Sequence, residues 1–303
     1  MQKQRYPLHY ILLILAVTFW GLSFVFTKDL LDKILPIQLV FSRMVIASSL
    51  LTLACLLFFR QPLREIPKKD WLNLVALSFF EPFLYFLFET YSLAYADPTV
   101  VSVIVSTIPL FTVFLSVFYF KERLSRLNIA GVFISVIGIC AMLLPEITNA
   151  NFHWGGIALA FGAVFASVGY SFFIRNLSGK YNPVFIVACQ NTVGAFLFLP
   201  LLLLEFTQDG AASTYISALC DSHVMINVIM LAVFCSALAF IFYVIAMEKM
   251  GLAKSNTFTN LIPVVTGIFA FFLVDEKFPH YKIIGTLIVI IGIFFVQKQI
   301  KNQ

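Results

Sequence analysis

Two stretches, LSVFYFKERLSRLNIAGVFISVIGI at 115–139 and FAFFLVDEKFPHYKIIGTLIVIIGI at 269–293, decide the fold. Each is an apolar run broken by a short charged block and then resumed. At a shift of 154 residues Pro109 meets Pro263, Glu122 meets Glu276, Gly131 meets Gly285 and Gly138 meets Gly292, without a gap. Earlier in the halves the match persists at slightly smaller shifts: Pro36 with Pro183 at 147, and Gly21 with Gly169 and Ser23 with Ser171 at 148. The chain therefore reads as two copies of one unit, residues 1–150 and 151–303.

The solvent of that unit follows from composition. Hydrophobic residues make up 61% of the chain and charged residues 12%, with 35 phenylalanines among 303 residues. A water-soluble domain of that balance exposes more apolar surface than monomers tolerate, so the bilayer is the expected solvent. Breaks at charges, prolines and polar clusters give ten spans at 8–28, 36–59, 71–93, 98–120, 127–144, 153–174, 183–204, 224–247, 253–274 and 281–297, most near the roughly 20 residues a hydrocarbon core requires. The first follows Lys3 and Arg5, is too long for a signal-peptide core and has no small-residue cleavage pattern after it, so it reads as a span. Connections are short; the longest, 205–223, reads as a polar, mobile loop.

Positive charge orients the bundle. With the N-terminus inside, the cytoplasmic segments hold 15 of the 20 Lys and Arg residues, the opposite side holds Lys28, Lys33, Lys277 and Lys282, and only Arg43 falls in the interior of a span, away from its ends. Both termini are expected in the cytoplasm. The net charge of +5 is then a topological signal rather than a nucleic-acid footprint. Five spans per half is an odd number, so the second half enters the membrane from the other side. Inverted repeats of this kind rock around a site at their interface. The expected fold is thus an all-α integral membrane protein of ten transmembrane helices in two inverted five-helix repeats.

FWGLSF at 19–24, PIQLVFSR at 36–43 and PLFTVFLSVFYFKERL at 109–124, followed by a glycine-spaced fifth span, resemble the EamA family of the drug/metabolite transporter superfamily. The resemblance covers essentially the whole chain as two copies. It implies a secondary transporter of small metabolites, often an exporter of amino acids or related compounds, in a bacterial plasma membrane. The second copy departs from the pattern: Gln190 stands where the family-like arginine of span 2 is expected, and Val168-Gly169 replaces Trp-Gly.

Polar groups inside a membrane are costly and normally face protein or a wet cavity. Ser102, Ser106 and Pro109 share one helical face, and their counterparts at +154 are Asn256, Asn260 and Pro263. Symmetric polar stripes beside prolines suit a cavity lining; interhelical hydrogen bonding is the alternative. Glu81, Tyr85 and Glu89 share a face of span 3; Glu81, before Pro82, reads as a kink marker and Glu89 as the better functional candidate. Arg43 and Glu89 each lie roughly 10 Å from the outer membrane face at 1.5 Å per residue, which permits an ion pair, static or proton- and substrate-sensitive. Trp20, Ser23 and Thr27 share a face of span 1, with Tyr170 and Ser171 beside Gly169 in span 6. Tyr243, the counterpart of Glu89, completes the cavity set. Gly131 and Gly138, like Gly285 and Gly292, are seven apart and let helices approach closely outside the solute path.

Other chemistries lack their signatures. The five cysteines form no C-x-x-C pair and the four histidines have no metal-ligand spacing, so no metal or cofactor is expected. H-E-x-x-H, G-x-S-x-G and Walker A sequences do not occur, which argues against a membrane enzyme and against ATP hydrolysis within the chain. A passive channel is the remaining alternative. Expected partners are a small-molecule solute and membrane lipid, with no nucleic acid; the solute gradient or proton coupling is the expected source of energy.

Overall fold

A computed structural model of the chain describes residues 7–58, 65–112, 126–143, 153–208, 210–277 and 279–297. Most of them are helical, with no strand among them. Helices Pro7–Leu30, Pro36–Leu57, Lys68–Tyr95, Arg126–Leu143, Trp154–Leu177, Pro183–Glu205 and Ser222–Met250 are long and apolar enough to cross a bilayer. These are spans 1, 2, 3, 5, 6, 7 and 8. The shorter apolar helices Pro98–Thr112, Phe258–Leu273 and His280–Val296 supply spans 4, 9 and 10. The remainder of span 4, with the first charged block and Glu122, lies outside the described residues.

Local chemistry sets several helix starts. Proline opens spans 2, 4 and 7 at Pro36, Pro98 and Pro183, where its missing N–H costs nothing. The Asn182 side chain accepts the Val184 N–H at 2.9 Å and caps span 7. Lys28, in the last turn of span 1, donates to the carbonyls of Leu93 (2.8 Å) and Ala96 (3.3 Å) at the end of span 3.

The strongest packing crosses between the halves. Span 1 packs on spans 8 and 9, and span 6 on spans 3 and 4; spans 2 and 7, 4 and 9, and 5 and 10 pack on each other. Exchanging the halves maps this pattern onto itself, as two inverted repeats require. At the seam of spans 5 and 10 the repeated glycines meet: a Cβ on Gly138 would lie 2.7 Å from the Val289 nitrogen and 2.9 Å from the Gly285 carbonyl. Only glycine permits that approach of two backbones. Phe133, Phe196 and Phe272 are exposed on the outside of the bundle, as a lipid-facing surface demands.

Two local expectations change. The connection after span 7 is not a plain polar loop but carries a helix, Ala211–Cys220. Its Tyr215 hydroxyl lies 2.7 Å from Ser42 Oγ of span 2, and its ring packs on Phe206 at 5.7 Å, so the segment is docked on the bundle. The sequence places Glu276 near the N-terminus of the following span, where the helix dipole favours a carboxylate. Instead Glu276 Oε2 accepts from Thr99 N (3.3 Å) and Thr99 Oγ1 (2.9 Å) at the start of span 4, in the other half. Lys282 joins Glu276 (3.3 Å) to Asp97 (2.5 Å). Burial pushes the Glu276 carboxyl above its ordinary range, and Lys282 opposes that push. The second charged block thus ties the two halves together at one end of the bundle.

Candidate functional site

Four spans lose regular helix at related depths. In span 3, Phe79–Leu84 is a π-helical stretch, and Glu81 adopts an extended backbone (φ −146°, ψ 114°), as residues before proline tend to. In span 8, Leu231–Leu238 is π-helical at the corresponding depth, without a proline. There Asn191 Nδ2 donates to the Ser236 carbonyl at 3.2 Å, so the neighbouring span satisfies a carbonyl of the widened turn, while Cys235 Sγ donates to the Phe19 carbonyl of span 1 at 3.1 Å. Span 4 is interrupted by a turn at Ser106 and Thr107, and span 9 by a tightened segment, Thr257–Leu261, each shortly before its repeated proline. Irregular backbone at membrane depth is tolerated where protein or a cavity surrounds it.

These breaks frame a cavity of about 60 Å³ built from spans 1, 3 and 4 and their mates 6, 8 and 9. Span 1 contributes Trp20, Ser23 and Phe24; span 3 contributes Glu81, Tyr85, Phe86 and Glu89. Across from them stand Ser167, Tyr170 and Ser171 of span 6, Phe240 and Tyr243 of span 8, and Asn256 and Thr259 of span 9. Trp20 lies 5.2 Å from both Phe240 and Tyr243, centroid to centroid, and Tyr170 lies 6.4 Å from Phe240. The Tyr243 hydroxyl donates to the Asn256 side-chain oxygen. Trp20 Nε1 and the Tyr170 hydroxyl are buried with no hydrogen-bond partner among the described residues. Buried donors are normally satisfied, so both point to an occupant, water or solute.

Eight of the residues read as cavity candidates in the sequence line this cavity: Trp20, Ser23, Tyr85, Glu89, Tyr170, Ser171, Tyr243 and Asn256. Arg43 sits behind the wall. Its Nε donates to Ser236 Oγ (2.9 Å) and its Nη2 to Ser23 Oγ (3.4 Å), with Cζ 4.2 Å from the centre of the Phe86 ring. The permitted ion pair with Glu89 does not form as a contact: the two charges act on one another through space, and Arg43 Nη1 has no partner among the described residues. Glu89 Oε2 instead accepts from Thr90 Oγ1 at 3.3 Å. Ser102 and Ser106 are turned back onto their own helix, donating to the carbonyls of Thr99 (2.9 Å) and Val103 (2.7 Å). They and Asn260 are buried but do not line the cavity.

Glu81 does line it, held by Ser167 Oγ at 3.1 Å. The reading of Glu81 as a kink marker was thus half of its part. The available signal was the i, i+4, i+8 face it shares with Tyr85 and Glu89. Phe86 and Phe240 gave no signal, being two of many phenylalanines. No cluster of three or more metal-ligating side chains occurs among the described residues.

Interlocked helical halves around a buried cavity of carboxylates and aromatic rings define a membrane-embedded transporter. The chain belongs to the EamA-like transporter family, which matches it twice, over residues 7–144 and 154–297. An uncharacterized transporter of Archaeoglobus fulgidus is 26% identical over 96% of this chain and 99% of its own length. An uncharacterized transporter of Bacillus subtilis is 23% identical over 97% and 94%. An Escherichia coli protein named "Probable amino-acid metabolite efflux pump" is 21% identical over 94% and 93%. A crystal structure superposes with a TM-score of 0.69 at 16% identity, covering 96% of this chain and 98% of that one, and shares the fold.

Proposed function

We propose that the protein is a secondary-active exporter of small metabolites, amino acids or related compounds among them, working by alternating access. The observation that carries this reading is the cavity itself, framed by four irregular spans in symmetry-related pairs. At about 60 Å³ it holds water but no metabolite, since solute pockets run to roughly 300 Å³ or more. Passage of a solute therefore requires the halves, 1–150 and 151–303, to part first on one side and then on the other. In this reading Trp20, Ser23, Tyr85, Glu89, Tyr170, Tyr243 and Asn256 contact the solute. Arg43 tunes Glu89 from behind, and Ser102, Ser106 and Asn260 are uncovered as spans 4 and 9 bend. Protons or the solute gradient drive export across a plasma membrane, with both termini cytoplasmic and no chemical conversion of the solute. The names of amino-acid-exporting relatives support the substrate class.

Reconstituted counterflow tests this. Vesicles preloaded with an unlabelled amino acid should accumulate the labelled one transiently, with saturation. Linear, non-saturating flux without counterflow would instead identify a channel.

A further inference from the structure

The charge balance of the cavity specifies the solute more narrowly; this inference rests on the transport reading above. Two carboxylates, Glu81 and Glu89, line the cavity, and none of the described residues lining it is Lys, Arg or His. Arg43 lies behind Ser23 and Phe86 and acts on Glu89. One guanidinium stands against two carboxylates, so an ionised Glu81 beside an ionised Glu89 would have no counter-charge of its own. The other groups acting on Glu81 are the Ser167 hydroxyl and the Glu89 carboxylate, with the phenols of Tyr85 (its own span), Tyr170 (span 6) and Tyr243 (span 8) facing it; none carries positive charge. A buried carboxylate without a counter-charge is costly, and a proton or a cation relieves that cost. Around it stand the rings of Trp20, Tyr85, Tyr170, Phe240 and Tyr243, whose faces attract organic cations.

We propose that Glu81 binds either a proton or a monovalent organic cation, such as a primary ammonium, and exchanges one for the other. In the exchange the protonated Glu81 carboxyl gives its proton to water, and the carboxylate so formed pairs with the incoming ammonium, which keeps all its own protons. Net charge in the site is unchanged, and no oxidation or bond-making is involved. A zwitterion fits less well, because its carboxylate adds a negative charge where no lining cation receives it.

Phenethylammonium and phenylalanine separate these cases, since they differ by that carboxylate alone. Titrated into the purified full chain in weakly buffered detergent, phenethylammonium or choline should bind with release of about one proton per cation. Phenylalanine should bind at least about tenfold more weakly than phenethylammonium. Glu81→Gln, whose amide oxygen still accepts from Ser167, should lose the proton release and at least about tenfold in affinity. If that variant does not fold, Glu81→Asp should retain proton release with weaker binding. Binding of neither cation, cation binding without proton release, or phenylalanine binding as tightly as phenethylammonium each overturns the proposal, as does a Glu81→Gln variant that behaves as wild type. Saturable phenylalanine counterflow insensitive to Glu81→Gln would end this inference and leave the transport reading standing. Cation binding with proton release but no counterflow of any solute would do the reverse.

Discussion

Replacing Lys282 with methionine keeps the volume of its stem and removes its charge, and the consequence follows from the neighbours of that charge. Lys282 bridges Asp97 at 2.5 Å and Glu276 at 3.3 Å. The Asp97 side chain is 47% exposed, so its arm is screened and contributes at most about 1 kcal/mol. The Glu276 arm differs, because both side chains are only 4% exposed. Breaking a buried pair by removing one partner costs about 3–5 kcal/mol, since the other charge stays buried and uncompensated. Thr99 still donates twice to Glu276, which favours the low end, so Lys282→Met should destabilise the protein by about 3 kcal/mol. The deficit should shrink as pH falls, because a protonated Glu276 has no charge left to compensate. Glu276→Gln should recover much of the loss in the double variant, with a coupling of about 2 kcal/mol between the two positions. Denaturation in mixed micelles across pH, on wild type, both single variants and the double, measures each quantity. A Lys282→Met variant within about 0.5 kcal/mol of wild type, or two strictly additive variants, would refute the reasoning.

Gly138→Ala should cost about 1–3 kcal/mol, because its Cβ meets two backbone atoms of span 10, at 2.7 and 2.9 Å, which cannot move aside as a side chain can; thermal denaturation in detergent reads it. Glu89→Gln should change both the rate of transport and its pH profile if this carboxylate takes part in coupling, and proteoliposome uptake across pH decides the matter; an unchanged rate and profile would exclude the role. Tyr243→Phe removes the donor that holds Asn256 in the cavity wall and should raise the KM for counterflow several-fold, with less effect on protein yield.

What the sequence made legible was what repeats or what is locally coded. The +154 correspondence paired Pro109 with Pro263, and the spans that carry them, 4 and 9, are the two interrupted shortly before those prolines; the glycine spacing marked the helix edges of spans 5 and 10 that approach closely. Helical spacing also placed Glu81, Tyr85 and Glu89 on one face, and all three reach the cavity. Partners chosen by tertiary packing were not legible. Glu276 finds Thr99, 177 residues away, because the second half folds back across the first. Ser102 and Ser106 had the spacing of lining residues, yet a serine in a helix can satisfy itself on the preceding turn, and both do. The Arg43–Glu89 contact was allowed by depth alone, whereas Ser236 and Ser23 supply nearer acceptors that depth cannot reveal. The π-helical turn of span 8 has no proline to announce it; the partner of its Ser236 carbonyl is an Asn191 side chain from the neighbouring span.

The most direct test of alternating access is the reach of Ser171, a cavity residue. In a background with the five native cysteines replaced, Ser171→Cys is challenged with a membrane-impermeant thiol reagent from one side of sealed vesicles and then from the other. The account predicts labelling from both sides, at rates that move in opposite directions when the solute gradient is reversed. Labelling from a single side under every gradient, or from both sides at rates indifferent to it, would contradict the account.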